Sequence, residues 1–450
     1  MTRMIKIGNA QAFWGDSPGA PAELLKQQPD LDYLTLDYLA EVSLSIMAIQ
    51  RDKKPELGYA ADFLDVVRSL IPFWKEGSHV KVVCNAGGLN PEGCAQAVVK
   101  ILQQEGCAKK VSTVSGDDVL ALLKGDSKKE LFHNLDTGEP LEQVLNQLVT
   151  ANAYLGAEPI AKALMQGADI VITGRVADPS LTVGPCLAHF NWKRDDWDKL
   201  AQATVAGHLI ECGTQATGGI STHWLEMPAP ENIGFPVVEM SEDSSFVITK
   251  PAKTGGRVNL QTIKEQLLYE IGDPERYLSP DVTVSFLSLY VDYAGPDRVK
   301  VTNAKGMAPP LTYKVSATFR DGYRAEACLS IFGKDAPAKA ERAGQVILKK
   351  VENAGHNLAN ANIECLGTGG SVPGILNPSE AVECVMRIAV SDPQKEAVEA
   401  FSKEIAPLVT SGPQGIGGYL FGRPQVRPVF GYWPCLIEAS AIKPSILIQN

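Results

Sequence analysis

Positive charge is scarce: 42 Lys and Arg against 52 Asp and Glu leave a formal net charge of -10 over 450 residues. Phosphate backbones are held by clustered Lys and Arg, so this balance argues against a nucleic-acid partner. Cysteine never appears as a CxxC pair and no two of the six His are closely spaced, so a zinc signature is missing. The nine cysteines, at 84, 94, 107, 186, 212, 328, 365, 384 and 435, are odd in number and scattered. Most sit in apolar runs such as "VKVVCNAGG" and "VECVMRIAV", the pattern of reduced core residues in a cytoplasmic protein. No apolar run reaches the length of a membrane span, and "MTRMIKIGNAQAFWGD" has no apolar core of signal-peptide length. Neither the Asn85–Gly88 loop nor "GTGGSVPG" (367–374) nor "GPQGIGG" (412–418) has the spacing of a dinucleotide fingerprint or of a phosphate loop with its Lys. NAD and ATP are therefore not expected as cofactors.

What is present is a globular composition, 45% hydrophobic and 21% charged, on a chain too long for one ordinary core. We divide it into 1–221 and 222–450. The first part alternates short β-rich runs with helical patterns, with strands expected near 4–8, 32–37, 79–84, 109–114, 147–152 and 169–173. Among the helices between them, "NPEGCAQAVVKILQQEG" opens on Asn90 and Pro91 as cap and first helical residue and stops at Gly106. Such alternation predicts an α/β domain with a mostly parallel, Rossmann-like sheet and helices on both faces, although a barrel closed from the same alternation stays open.

The pattern changes through the Pro-rich "EMPAPENIGFPVVE", read as an interdomain connection. In "LTYKVSATFRDGYRAEACLSIFG", apolar residues alternate on either side of Asp321-Gly322, which predicts a tight-turned hairpin. A helix from Asp335 to Gly355, strands near 361–366 and 381–390, a helix from Asp392-Pro393 to before Gly412 and a strand near "PQVRPVFGYW" complete an α+β domain of ferredoxin-like hairpin-and-helix type.

Parallel sheets bind ligands beyond the carboxyl ends of their strands, so polar residues at those ends are the candidates. Asn9 and Asp16 follow the first strand, Asp37 the second, Asn85, Gly87 and Gly88 the third, Asn152 the fifth, and Gly174 and Arg175 the sixth. Asn85–Gly88 would leave backbone amides open to a ligand, or would simply turn a strand into a helix. Asp16 and Asp37 suit a general base or a divalent cation if they face each other, and loop capping if they do not. Asp117 and Asp118 read as caps of the following helix. On the helix ending near Gly213, His208, Glu211 and Cys212 share one face at the negative end of the helix dipole, which favours a protonated imidazole; Gln215 follows in a Gly-rich tail. His208 would then be a general acid, with Glu211 or Cys212 beside it, or a hydrogen-bonded residue of a half-buried helix. Arg175 is either an anion clamp or the partner of Asp178, itself read as a helix cap. Arg423 and Arg427 suit a carboxylate or the phosphates of coenzyme A, or are edge-strand charges.

Taken together, "GNAQAFWGDSPGA", "LDYLAE", "CNAGGLNP", "ANAYLGAEPI", "GADIVITGRVADPSL", "TVAGHLIECGTQATGG" and "YEIGDPERYLSPDV" resemble the acyclic terpene utilisation protein A family over essentially the whole chain. The resemblance implies a role beside enzymes that break down branched acyclic terpenoids and related acyl-coenzyme A compounds, and it brings no catalytic residues with it. Many members look to carry a further small C-terminal domain, whereas this chain stops at "KPSILIQN", so a small partner protein is implied, with a homo-oligomer as another assembly. The expected activity is a lyase or hydro-lyase acting on a small or branched hydroxy acid or its acyl-coenzyme A ester. In that scheme Arg175 and the Asn85–Gly88 amides hold the anion, Asp37 or His208 moves the proton, and Asn9, Asn152 and Gln215 line the site. The alternatives are a noncatalytic acyl-binding subunit and a coenzyme A transferase with Cys212 or Glu211 as nucleophile.

Overall fold

The structure, a computed structural model, describes residues 3–126, 129–369, 372, 381–419 and 422–449. Part of the 367–374 loop therefore lies outside the described residues. Six strands form where the apolar runs placed them: β1 (Met4–Asn9), β2 (Tyr33–Leu36), β3 (Lys81–Cys84), β4 (Val111–Ser115), β5 (Leu148–Ala153) and β6 (Ile170–Thr173). Both faces of β2 and β6 are buried, which is why "YLTL" and "IVIT" run apolar without strict alternation.

Five of the six make a parallel row in the order β1, β2, β3, β6, β4. Antiparallel strands extend it on both sides: Val237–Ser241, Phe246–Thr249, Arg298–Thr302 and Tyr290–Gly295 beyond β1, and Ser445–Gln449 beyond β4. The fold is thus mixed α/β, built on an open ten-stranded mixed sheet. β5 is the exception, because it pairs with the strand Thr312–Phe332 instead of joining the parallel row. Of the six strands expected in one mostly parallel sheet, five therefore bring their carboxyl ends to a common edge and β5 lies outside the row.

Helices follow their signals closely. Asn90 accepts the Gly93 amide at 2.9 Å with Pro91 as first helical residue, and the helix Pro91–Gln104 ends before Gly106, whose φ is +63°. The helices Ala20–Gln27, Phe63–Lys75 and Pro91–Gln104 pack in one chain of contacts, and Glu158–Met165, Ser180–Phe190 and Trp197–Glu211 in another.

The chain divides into two compact units, residues 1–318 with 432–450, and residues 319–431. The division drawn after residue 221 falls inside the first unit, and the Pro-rich passage leads into its antiparallel strands. In the smaller unit, Asn360–Leu366, Glu383–Asp392 and the later part of Thr312–Phe332 form an antiparallel sheet against which Ala336–Asn353 and Lys395–Glu404 pack. The expected hairpin is not formed: Thr312–Phe332 is one 21-residue strand running straight through Asp321-Gly322. Gly322 has φ +78°, and a β-carbon there would lie 2.5 Å from the Asp392 carbonyl, so the glycine serves close strand packing and not reversal.

Candidate functional site

At the carboxyl ends of the parallel row, side chains reach across to neighbouring strands. Asn85, fully buried after β3, donates to Asp37 Oδ1 at 2.6 Å and accepts the Tyr38 amide at 2.6 Å. This locks the β2 and β3 ends together. Burial pushes the Asp37 carboxyl well above its ordinary range, and the charge of Asp178 adds to this, with Arg175 and Asn85 pulling the other way.

Asn9 ties β1 to the far end of Trp197–Glu211 by donating to the Ile210 carbonyl and, at 2.9 Å, to that of Glu211, two of the carbonyls a helix end leaves free. Asp16 accepts the Ala12 amide at 3.0 Å within its own loop, the capping reading of that residue. Gly87 and Gly88 are packing positions, since β-carbons there would lie 2.6 Å from the Thr173 carbonyl and 2.1 Å from Met47 Sδ. Among the described residues no group of three or more His, Cys, Asp or Glu is arranged to hold a metal ion.

Arg175 sits where β6 ends, 2% exposed. Its amide donates to Asp117 Oδ2 at 2.9 Å, and its guanidinium donates to the Leu39 carbonyl, lies 3.1 Å from Asp178 Oδ1 and stacks 4.0 Å from the Tyr154 ring centroid. Its Nε has no partner among the described residues. Arg175 thus turns both toward the β2 end, through Leu39, and toward Asp178, while Asn85 belongs to Asp37. Asp178 is corrected from helix cap to ion-pair partner: Ser180–Phe190 starts without a side-chain cap, and burial raises the Asp178 carboxyl against the pull of Arg175.

Asp117 is likewise not a cap. Asp118 takes that role through the Leu120 amide at 3.0 Å, whereas Asp117, 3% exposed, accepts from Asn152 at 2.8 Å and from Arg175. Gly174 is obligatory beside it, because a β-carbon would fall 2.4 Å from Asp117 Oδ1. Burial raises Asp117 to about 6 despite those donors.

His208 is 2% exposed beside Tyr277 and Phe286, with ring centroids 6.2 and 5.8 Å away. Burial pulls it down to about 4, so the expected protonated imidazole is corrected to a neutral one: loss of water outweighs the helix dipole. Its Nε2 lies 2.9 Å from the Gln266 carbonyl, which can only accept, so the ring proton is there. Nδ1 must then accept from Glu211 Oε1 at 2.9 Å, and Glu211 can donate because burial, reinforced by Asp178 and Glu270, raises its carboxyl well above the ordinary range. Burial also raises the half-buried Cys212 thiol, leaving little thiolate for nucleophilic attack. Gln215 lies in the short helical turn Gly213–Thr217 that follows.

A cavity of about 360 Å³ opens onto this cluster. Arg175 and Asp178 line it with Glu41, Tyr154, Tyr277, Tyr313 and Lys314, while Asp37, His208 and Glu211 are not part of its lining. Lys314 Nζ lies 5.3 Å from the Tyr154 ring centroid, so this one ring receives both cations. Sequence reasoning missed Lys314, Tyr277 and Tyr154 as site residues. Lys314 fills an ordinary polar slot in the alternating "LTYKVSATF", and its meaning depends on β5, which brings Tyr154 alongside: the Tyr154 amide donates to the Lys314 carbonyl at 2.9 Å.

No helix among the described residues is long and apolar enough to cross a membrane. Residues 5–448 match the model of a family described as acyclic terpene utilisation family protein AtuA. No curated protein and no solved structure matches the chain.

Proposed function

The chain belongs to the acyclic terpene utilisation family AtuA, and we propose that within such utilisation it is an acid–base enzyme, a lyase or hydro-lyase acting on a small or branched hydroxy acid or its acyl-coenzyme A ester. The observation that carries this reading is the pairing, in one cavity, of two cations with a carboxyl group raised by burial: Arg175 and Lys314 on the Tyr154 ring, and Asp178 3.1 Å from the guanidinium. A carboxylate or thioester oxygen is held by cations, and cleaving a carbon–oxygen or carbon–carbon bond beside it needs a group that gives and takes a proton.

Arg175 is fixed by Leu39, Asp178 and Tyr154, so it is preorganised before any ligand arrives. Lys314 is exposed and completes the anion contact. Asp178 moves the proton. Asp37 and the Glu211–His208 pair are positioning groups, and the charge of Asp178 helps raise the carboxyls of Asp37 and Glu211.

Turnover of a panel of branched hydroxyacyl compounds by the full chain tests the reading. Asp178→Asn is expected to lower kcat by about a hundredfold or more, the scale of removing a general acid or base, with binding retained. Lys314→Met is expected to raise KM with kcat little changed. Turnover left intact in Asp178→Asn would overturn the assignment. Activity appearing only after a second, small protein is added would favour the acyl-binding subunit that works in a complex.

A further inference from the structure

A second cavity, about 470 Å³, lies within the smaller unit, beside residues 324–328, 418–419 and 422–427. Its lining includes three arginines, Arg324, Arg423 and Arg427, with Tyr419 and Cys328. One carboxylate, Glu326, also lines it, but its oxygen lies 3.3 Å from Arg387, which Glu364 engages at 3.1 Å from the other side. Among the described residues no carboxylate pairs with Arg324, Arg423 or Arg427, and Arg427 donates to the neutral Gln425 amide oxygen at 3.4 Å. All three arginines are exposed, so their guanidinium forks remain available.

Three unpaired guanidinium groups around one space on a chain of net charge -10 form a local concentration of positive potential. Holding like charges together with no internal counter-charge costs energy that a bound anion offsets. A guanidinium fork matches a carboxylate or phosphate two oxygens at a time, so a lone carboxylate satisfies one fork and leaves two. A ligand with several phosphoryl oxygens satisfies all three. The volume suits a small organic molecule, and Tyr419 offers an aromatic surface to whatever the phosphates are attached to.

We propose that this cavity binds an organic diphosphate, the chemistry shared by nucleoside diphosphates and the diphosphate arm of coenzyme A. Arg324, Arg423 and Arg427 take the phosphoryl oxygens and Tyr419 meets the attached organic group. The assignment does not rest on the acid–base chemistry at Arg175 and Asp178, so either can fail while the other stands.

Cys328 supplies the reporter, being exposed and part of the same lining. The full chain is alkylated with iodoacetamide at mildly alkaline pH, and modification of Cys328 is followed by peptide mass spectrometry in the presence of ADP, desulfo-coenzyme A or succinate. ADP or desulfo-coenzyme A is expected to slow alkylation at Cys328, and whichever acts at lower concentration identifies the source of the diphosphate. Succinate is expected to give no comparable protection. Arg423→Gln with Arg427→Gln should weaken protection by about tenfold or more, the scale of losing charge-assisted hydrogen bonds, with the thermal midpoint unchanged. No protection by either diphosphate, equal protection by succinate, or protection indifferent to the arginine changes would each overturn the proposal.

Discussion

Gly174 lacks a side chain because the Asp117 carboxylate fills the place where one would go, and this small fact orders the neighbourhood. It lets Asp117 take the Arg175 amide and fix the chain as it leaves β6, which in turn places the guanidinium between Leu39 and Asp178. Two buried groups here respond to pH in opposite senses. The value near 4 for His208 is below its ordinary 6.5, so the stability it contributes is complete above about pH 6.5 and is lost as pH falls through 4. Asp117, near 6 against an ordinary 3.8, contributes stability that is complete below about pH 3.8 and is lost as pH rises through 6. His208→Gln should therefore lose less stability than the parent between pH 6.5 and 4, by up to about 3 kcal/mol, in a urea-unfolding series across that window. Parallel pH profiles for the two proteins would contradict the burial argument. Much at this scale was legible: a charged residue at the end of a buried strand marked Arg175, and Asp37 and Asn85 stood out as strand-end polar groups. What was not legible was long-range pairing. Asn85 turned to Asp37 across 48 positions, whereas the Arg175–Asp178 pair, three residues apart, was one of the two readings the letters offered; the ionisation of His208 depended on burial by Tyr277 and Phe286, far along the chain.

Among the elements, Thr312–Phe332 shows how a turn signal misleads and how phase corrects it. Val315, Ala317, Ala325, Ala327, Leu329 and Ile331 are all buried, and all carry odd numbers. A two-residue turn at Asp321-Gly322 would set Phe319 opposite Arg324, so the buried set would have to switch from odd to even across it. The alternation instead keeps its phase, as one strand requires, and this was present in the letters. Gly322→Ala should cost about 1–3 kcal/mol, because φ +78° is strained for alanine and the added carbon would lie 2.5 Å from the Asp392 carbonyl. Denaturant unfolding of the full chain checks it, and an unchanged midpoint would show that the strand relaxes there without penalty. The helix Pro91–Gln104 was readable from its cap and stop residues because those act within one turn. β5 was readable as a strand but not as a partner, since its neighbour at Thr312–Thr318 lies more than a hundred residues later: Thr150 and Thr318 hydroxyls meet at 2.7 Å across 168 positions.

Across the whole molecule, each unit buries its own cluster, one including Phe63 and the other Phe401, both fully buried. Phe63→Ala and Phe401→Ala should each destabilise by about 3–5 kcal/mol, and each should lower a different calorimetric transition. A single transition lowered by both changes would show that the two units unfold as one. The change in composition near 226–239 was legible, yet it marks the passage from parallel to antiparallel strands. The smaller unit interrupts the larger one in sequence, a matter of connectivity that composition does not reveal. This interruption has a consequence in time. Ser445–Gln449 covers the outer edge of β4, with the Ser115 and Ser445 hydroxyls 2.9 Å apart across 330 positions. During synthesis at about 5–20 residues per second, β4 waits on the order of tens of seconds for that partner. The smaller unit, begun later, is fully translated before the larger sheet can close, so the nascent chain carries an uncovered strand edge on the ribosome throughout, the stage at which a chaperone holding β4 would matter most.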